Sequence, residues 1–264
     1  MKKTCLFAAF GVLLLPLLAH AQSPFDGTWK ANMNNVDWSK KPDVYLLKDG
    51  MYSCKTCTPP YEVKADGTDQ KVSGHPYYDT VAIKVINDHE IEETDKKDGK
   101  TVATIKNTVA PDGNTLMFEF TDSSNSNGGA AVTGKGEAVR VAKGPAGSSP
   151  ISGSWRTSKM ESLSDNGITV TYKVSGEEIT MSNPTGQTYT AKLDGSDAPM
   201  KGDPGITSVS VKMIGKNTLE ETDKRNGKVI GIFRGTVQPN GKTINASYDD
   251  KLQGRTTKWT MSKE

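Results

Sequence analysis

The sequence predicts an all-β protein: two tandem small antiparallel up-and-down β-barrels, preceded by a signal peptide. Three observations carry that expectation. Residues 81–122 reappear as residues 209–250 at a constant offset without a gap, and the match extends back to Tyr61, Asp66-Gly67, Gly74 and Pro76 against Tyr189, Asp194-Gly195, Gly202 and Pro204. Asp-Gly and Asn-Gly pairs punctuate the repeated stretch about every ten residues, the spacing of hairpin turns whose central residues need positive φ. Apolar residues alternate at Val81, Ile83 and Val85, at Leu116, Phe118 and Phe120, and at Val209, Val211 and Met213, which puts one face of each strand in a core and the other in water. Beyond residue 22, no run of helical length has a 3.6-residue apolar period.

The first 21 residues have the layout of a secretory signal. Lys2 and Lys3 supply the positive end, Leu6 to Leu18 the apolar stretch, and Ala19-His20-Ala21 a small-x-small cleavage site. Export to the periplasm or the cell exterior is therefore expected, and no later stretch is apolar enough to cross a bilayer as a helix. Without Lys2 and Lys3 the chain has 31 basic and 31 acidic residues. That balance argues against capture of nucleic acid or of an anionic membrane surface.

The remaining chain divides by composition into a first barrel over 22–143, a linker over 144–150 and a second barrel over 151–264. Gly144-Pro145-Ala146-Gly147-Ser148-Ser149-Pro150 has no large apolar residue to anchor it in a core. Each half opens alike, with Gly27-Thr28-Trp29 and Gly153-Ser154-Trp155. A tryptophan there can close one end of a barrel, the glycine allowing close backbone approach. The polar segment 32–43 reads as a loop. Strands are expected at 44–47 and 51–55, then in hairpins at 61–65, 81–86, 90–96, 101–109 and 115–121. The closing strands are expected at 137–142 and 258–262. Tight turns throughout favour a closed meander over a two-sheet sandwich, because Greek-key sandwiches need longer crossing connections.

Gly27-x-Trp29 and Gly153-x-Trp155, each at the head of an antiparallel meander, resemble the opening motif of lipocalins and their calycin relatives. Each half as a whole resembles uncharacterised secreted bacterial proteins with lipocalin-like barrels. The resemblance implies a barrel whose open mouth admits a small apolar ligand, and an arginine of the last strand, Arg140, stacked on Trp29. The sequence departs from the family in lacking the second lipocalin motif and a long C-terminal helix, and the last strand of the second half offers Trp259 where an arginine is expected.

Within this scaffold, features present in only one half are not needed to make the fold. Cys54 and Cys57 are one such feature, with Ser182 and Thr185 at the aligned places. In an oxidising compartment they are expected to form a static local disulfide. A redox dithiol would need a helix N-terminus to lower a thiol's pKa, and Pro59-Pro60 leaves no helix there. A metal site would have to recruit His75, His89 and carboxylates, and none is expected. His75, Tyr77 and Tyr78 sit on a loop whose aligned counterpart is Asp203, Gly205 and Ile206, so these aromatic groups are candidates for the rim of a binding mouth in the first barrel. The run Glu92-Glu93-Thr94-Asp95 returns as Glu220-Glu221-Thr222-Asp223. Neighbouring residues of a strand point to opposite faces, so cross-strand pairing with lysines such as Lys100 and Lys106 is expected on one face. Glu92 is the candidate inward carboxylate, joining Trp29, His75, Tyr77 and Tyr78 as ligand-binding candidates.

No Gly-x-Ser-x-Gly, phosphate loop or His-Glu-x-x-His is present. Binding without catalysis, and without a cofactor, is the favoured function, the ligand being a small, partly apolar molecule. The rival reading is an envelope scaffold that meets a protein partner and whose barrels are filled with side chains; redox or metal chemistry at Cys54 and Cys57 is a third.

Overall fold

The computed structural model describes residues 23–264; the expected signal segment, with Cys5, lies outside the described residues. Twenty strands form two antiparallel sheets of ten, each curled into a nearly closed barrel. In chain order the first ten are β1 (Gly27–Asp37), β2 (Asp43–Lys48), β3 (Met51–Cys54), β4 (Tyr61–Lys64), β5 (Gln70–Lys71), β6 (Thr80–Asn87), β7 (Glu90–Lys97), β8 (Lys100–Val109), β9 (Thr115–Asp122) and β10 (Val132–Lys143). The second ten are β11 (Gly153–Leu163), β12 (Thr169–Ser175), β13 (Glu178–Ser182), β14 (Thr188–Lys192), β15 (Asp194–Pro199), β16 (Ser208–Ile214), β17 (Thr218–Arg225), β18 (Lys228–Val237), β19 (Thr243–Asp250) and β20 (Arg255–Lys263). The only helical segment among the described residues is a single 3-10 turn at Asp165–Gly167, so none is long and apolar enough to cross a membrane as a helix.

The strand order departs from a simple division at the linker. One sheet runs β4-β3-β2-β11-β10-β9-β8-β7-β6-β5 and the other β14-β13-β12-β1-β20-β19-β18-β17-β16-β15. The two halves 22–143 and 151–264 have thus exchanged their opening strands. Trp155 pairs with Asp43 of β2 and Arg140 of β10, and Trp29 pairs with Val170 of β12 and Lys263 of β20. The first barrel is the continuous segment from β2 to β11, and the second is β12 to β20 completed by the N-terminal strand. Segment 32–43, expected as a loop, is strand as far as Asp37; its mixed polar pattern suits a strand that leaves one barrel and runs along the other.

Each barrel has its own core. In the first, Leu47, Tyr52, Val63, Val81, Ile83, Ile91, Val109, Leu116 and Trp155 are buried together. In the second, Phe25, Trp29, Tyr172, Ile179, Tyr189, Val209, Leu219 and Ile244 pack alike. The two tryptophans are equivalent plugs. Trp29 Nε1 donates to Phe25 O at 2.8 Å and Trp155 Nε1 to Ile151 O at 2.9 Å. The Arg140 guanidinium lies 3.8 Å from the Trp155 ring centre, and the Lys263 ammonium 5.3 Å from that of Trp29. Arg140 therefore stacks on Trp155 and not on Trp29, because the strand beside it came from the other half. Gly27 and Gly153 have φ of +122° and +138°, and a side chain at either would run into Lys263 or into Arg140 and the Ala142 carbonyl. The motif glycine is required by conformation and by the cation seated above the ring.

The sheets close where β4 and β14 approach β6 and β15, helped by isolated bridges at Asp66–Lys84 and Thr188–Lys201. Polar contacts tie the barrels together. Arg255 Nη2 donates to Asp43 Oδ1 at 2.6 Å, Gln187 Nε2 to Asn125 O at 2.8 Å, and Asn127 N to Thr185 O at 2.9 Å.

Candidate functional site

The repeated acidic run lies on β7 and β17, and strand alternation decides which of its carboxylates point inward. Ile91, Glu93 and Asp95 share the inner face of the first barrel, as Leu219, Glu221 and Asp223 share that of the second. Glu92, the expected inward residue, is exposed on the outer face opposite Lys84 and Lys106. Its counterpart Glu220 also faces out, held by Lys212 at 2.8 Å and Arg234 at 2.5 Å. The inward glutamate is one residue further on.

Each barrel thus contains a buried carboxyl pair contacted by a tyrosine. Tyr61 Oη donates to Glu93 at 2.7 Å, and Tyr189 Oη to Glu221 at 2.6 Å. In the second barrel Tyr248 Oη also donates to Asp223, at 3.0 Å. Burial, with no cation beside either pair among the described residues, favours the neutral acids. It raises Glu93, and it pushes Asp95 up to about 8 with further repulsion from Glu93. Glu221 is raised well above the ordinary range by burial and then by Asp223, and burial likewise raises Asp223. The two carboxyls of each pair share one face of a strand and titrate as a unit.

The surroundings of the two pairs differ. In the first barrel the expected mouth loop folds inward. His75 is 8% exposed, its ring stacked on Tyr78 with centroids 4.5 Å apart and edge-on to Tyr61 at 5.7 Å. Tyr52 and Tyr45 continue the aromatic column. Burial lowers the His75 pKa, so the imidazole is held neutral. Tyr77 leaves this group altogether, and its hydroxyl donates to Asp203 of the other barrel at 3.0 Å. The candidate ligand residues are therefore not brought together: His75 and Tyr78 are barrel filling, Tyr77 bridges the barrels, Trp29 is a plug of the second core and Glu92 lies outside.

Cys54 and Cys57 are joined as a disulfide. Cys54 pairs with Tyr45 and Tyr61, while the residue between the equivalent tyrosines, Tyr172 and Tyr189, is Met181. Met181 is thus the structural counterpart of Cys54, one residue away from the Ser182 indicated by the ungapped alignment. Among the described residues no group of three or more histidines, cysteines and carboxylates is placed to hold a metal ion.

The second barrel has no aromatic column. It opens into a cavity of about 640 Å³, within the usual size of small-molecule sites. Its wall includes Met33, Met160, Met181 and Met261 with Trp38, Trp259, Phe120 and Phe233, and Glu221 and Asp223 are among its polar groups. Phe120, Met160 and Leu163 come from the sheet of the first barrel. Unbranched methionines adapt to irregular apolar shapes, and Phe233 packs on Trp259 with ring centres 6.0 Å apart. These residues escape a reading for motifs because they lie on seven different strands and, for Trp38, in the segment after β1. The sequence signal that could have found the floor was the repeated carboxyl run read one residue out of phase.

No family model matches the chain, and no curated protein matches it. Among solved structures, the chain aligns with a transferrin binding protein B double mutant from Haemophilus parasuis Hp5. Identity is 7%, with 93% of this chain and 78% of that one covered, at a TM-score of 0.17, too loose a superposition to bear on fold or function.

Proposed function

We propose that the protein is an exported, non-enzymatic binding protein that takes a small, partly apolar molecule into the cavity of its second barrel. The observation that carries this reading is the cavity itself: about 640 Å³ walled by methionine and aromatic side chains. Transfer of an apolar body from water into such a space is favourable by about 25 cal/mol for each Å² covered. The Cys54–Cys57 bond agrees with an oxidising compartment. The filled first barrel favours a supporting role for that half, the envelope-scaffold alternative confined to one domain.

The neutral fluorophore N-phenyl-1-naphthylamine tests the reading. It should bind with stoichiometry near one, quench Trp38 or Trp259 by energy transfer, and be excluded by Met181→Trp, which fills the cavity from β13. Equal binding to that variant, with its fold verified by circular dichroism, would place the probe elsewhere and defeat the proposal.

A further inference from the structure

Resting on the reading of this cavity as a ligand site, a further property follows from what stands on its wall. Glu221 and Asp223 present four carboxyl oxygens. Tyr189 occupies one and Tyr248 another. Asp223 is 4% exposed, yet its Oδ1 has no donor outside the carboxyl pair itself. Neither residue forms an ion pair among the described residues. The other titratable groups bearing on the pair are the phenols of Tyr77, Tyr172, Tyr189 and Tyr248 and the carboxylate of Asp203, none of them a cation. A buried acceptor without a donor is costly, and here it belongs to a residue that stands with Glu221 on the wall of the cavity.

The first barrel contains the same pair, and Asp95 Oδ1 there likewise has no donor outside the pair. What distinguishes the second barrel is that Glu221 and Asp223 stand on the wall of a cavity of about 640 Å³, with Tyr172 and Tyr248 beside them.

We infer that the second barrel selects amphiphilic amines, an apolar body in the methionine and aromatic chamber and an ammonium group donating to Glu221 and Asp223. The ammonium brings a positive charge that none of the described residues gives the pair, so its binding is coupled to release of a carboxyl proton to the buffer, leaving a carboxylate that accepts the N–H bonds. A carboxylate headgroup would meet like charge, and a hydroxyl would form a neutral hydrogen bond of lesser strength.

The test is displacement of N-phenyl-1-naphthylamine by 1-aminooctane, 1-octanol and octanoate, which share a chain and differ in headgroup. At pH 7 the amine should displace the probe at a concentration lower by about tenfold than octanol, the factor expected from one charge-assisted hydrogen bond. Its advantage should grow between pH 5 and pH 8, and titration calorimetry in two buffers of different ionisation enthalpy should register proton release. Asp223→Asn should cut the amine's advantage to about the level of octanol. The same profile in Glu221→Gln guards against a folding defect in either variant. Octanol or octanoate matching the amine would overturn the amine assignment and leave the cavity reading intact. Failure of all three, with the probe bound, would overturn both.

Discussion

The exchange of opening strands makes a prediction that the linear order of the halves opposes. Trp29 lies in the first half of the sequence, yet its side chain is fully buried in the core of the second barrel, with its indole N–H satisfied by Phe25 O. Truncating a fully buried tryptophan to alanine costs about 3–5 kcal/mol, and the lost ring also removes the seat of Lys263. A loss near 4 kcal/mol corresponds to about a thousandfold rise in the population of the open state. Hydrogen exchange read by mass spectrometry should therefore show Trp29→Ala accelerating peptides from residues 169–250 by roughly that factor. Peptides from residues 43–122 should change little. Trp155→Ala should do the reverse, since Trp155 is buried with Leu47, Tyr52 and Val81 of the first barrel. Acceleration of 43–122 by Trp29→Ala would refute the exchange, and equal acceleration of both segments would refute the assignment of each tryptophan to one barrel.

Three other outcomes follow from the interior chemistry. Asp95 holds its proton to about pH 8 in the folded state but only to about pH 4 when unfolded. Its contribution to stability is thus full below pH 4 and lost as pH rises toward 8; Asp95→Asn should raise Tm at pH 9, leave it nearly unchanged at pH 4, and would contradict the burial argument if it lowered Tm at both. Replacing Cys54 and Cys57 by serine opens a loop with sequence separation of three, for which chain entropy gives about 2 kcal/mol; denaturant midpoints should fall accordingly while N-phenyl-1-naphthylamine affinity stays the same. Glu220→Gln, on the outer face of β17 between Lys212 and Arg234, should leave probe binding unaltered, whereas weakened binding would mean the strand is registered the other way.

Much of the fold was legible because short-range chemistry specifies it. Asp98-Gly99 and Asn226-Gly227 have the positive φ that their turns demand, and the inward sets Val81, Ile83 and Val209, Val211 are buried as alternation requires. The exchange was not legible for an equally physical reason. Gly-x-Trp occurs in both halves, so either tryptophan satisfies either barrel and the pattern is the same in both arrangements. The candidate site failed at a finer scale. Reading Glu92 as inward misplaced the acidic run by one residue, which inverts every side chain of a strand. The loop of His75 and Tyr78 was expected at a rim because its composition is aromatic and polar, but a neutral imidazole stacked on Tyr78 and edge-on to Tyr61 packs as an interior group, and nothing local distinguishes the two fates.

Connection length gives the exchange its physical basis. Only nine residues, 144–152, separate β10 from β11, whereas 94 separate the end of β1 from the start of β10. Pairing β10 with the nearer strand saves loop-closure entropy of about 2 kcal/mol, and it makes the first barrel one uninterrupted meander. Once that barrel is closed, residues 38–42 and 164–168 run from it into β1 and β12, holding these strands close enough to pair despite their separation in sequence. The second barrel is then assembled on the first, and the cavity records it. Ala31, Met33 and Val36 of β1 face Met160 and Leu163 of β11 across the same space as Thr169 and Val170 of β12. A single copy of the repeat would have neither that wall nor that neighbour, so the cavity depends on the duplication even though its carboxyl pair occurs in both copies.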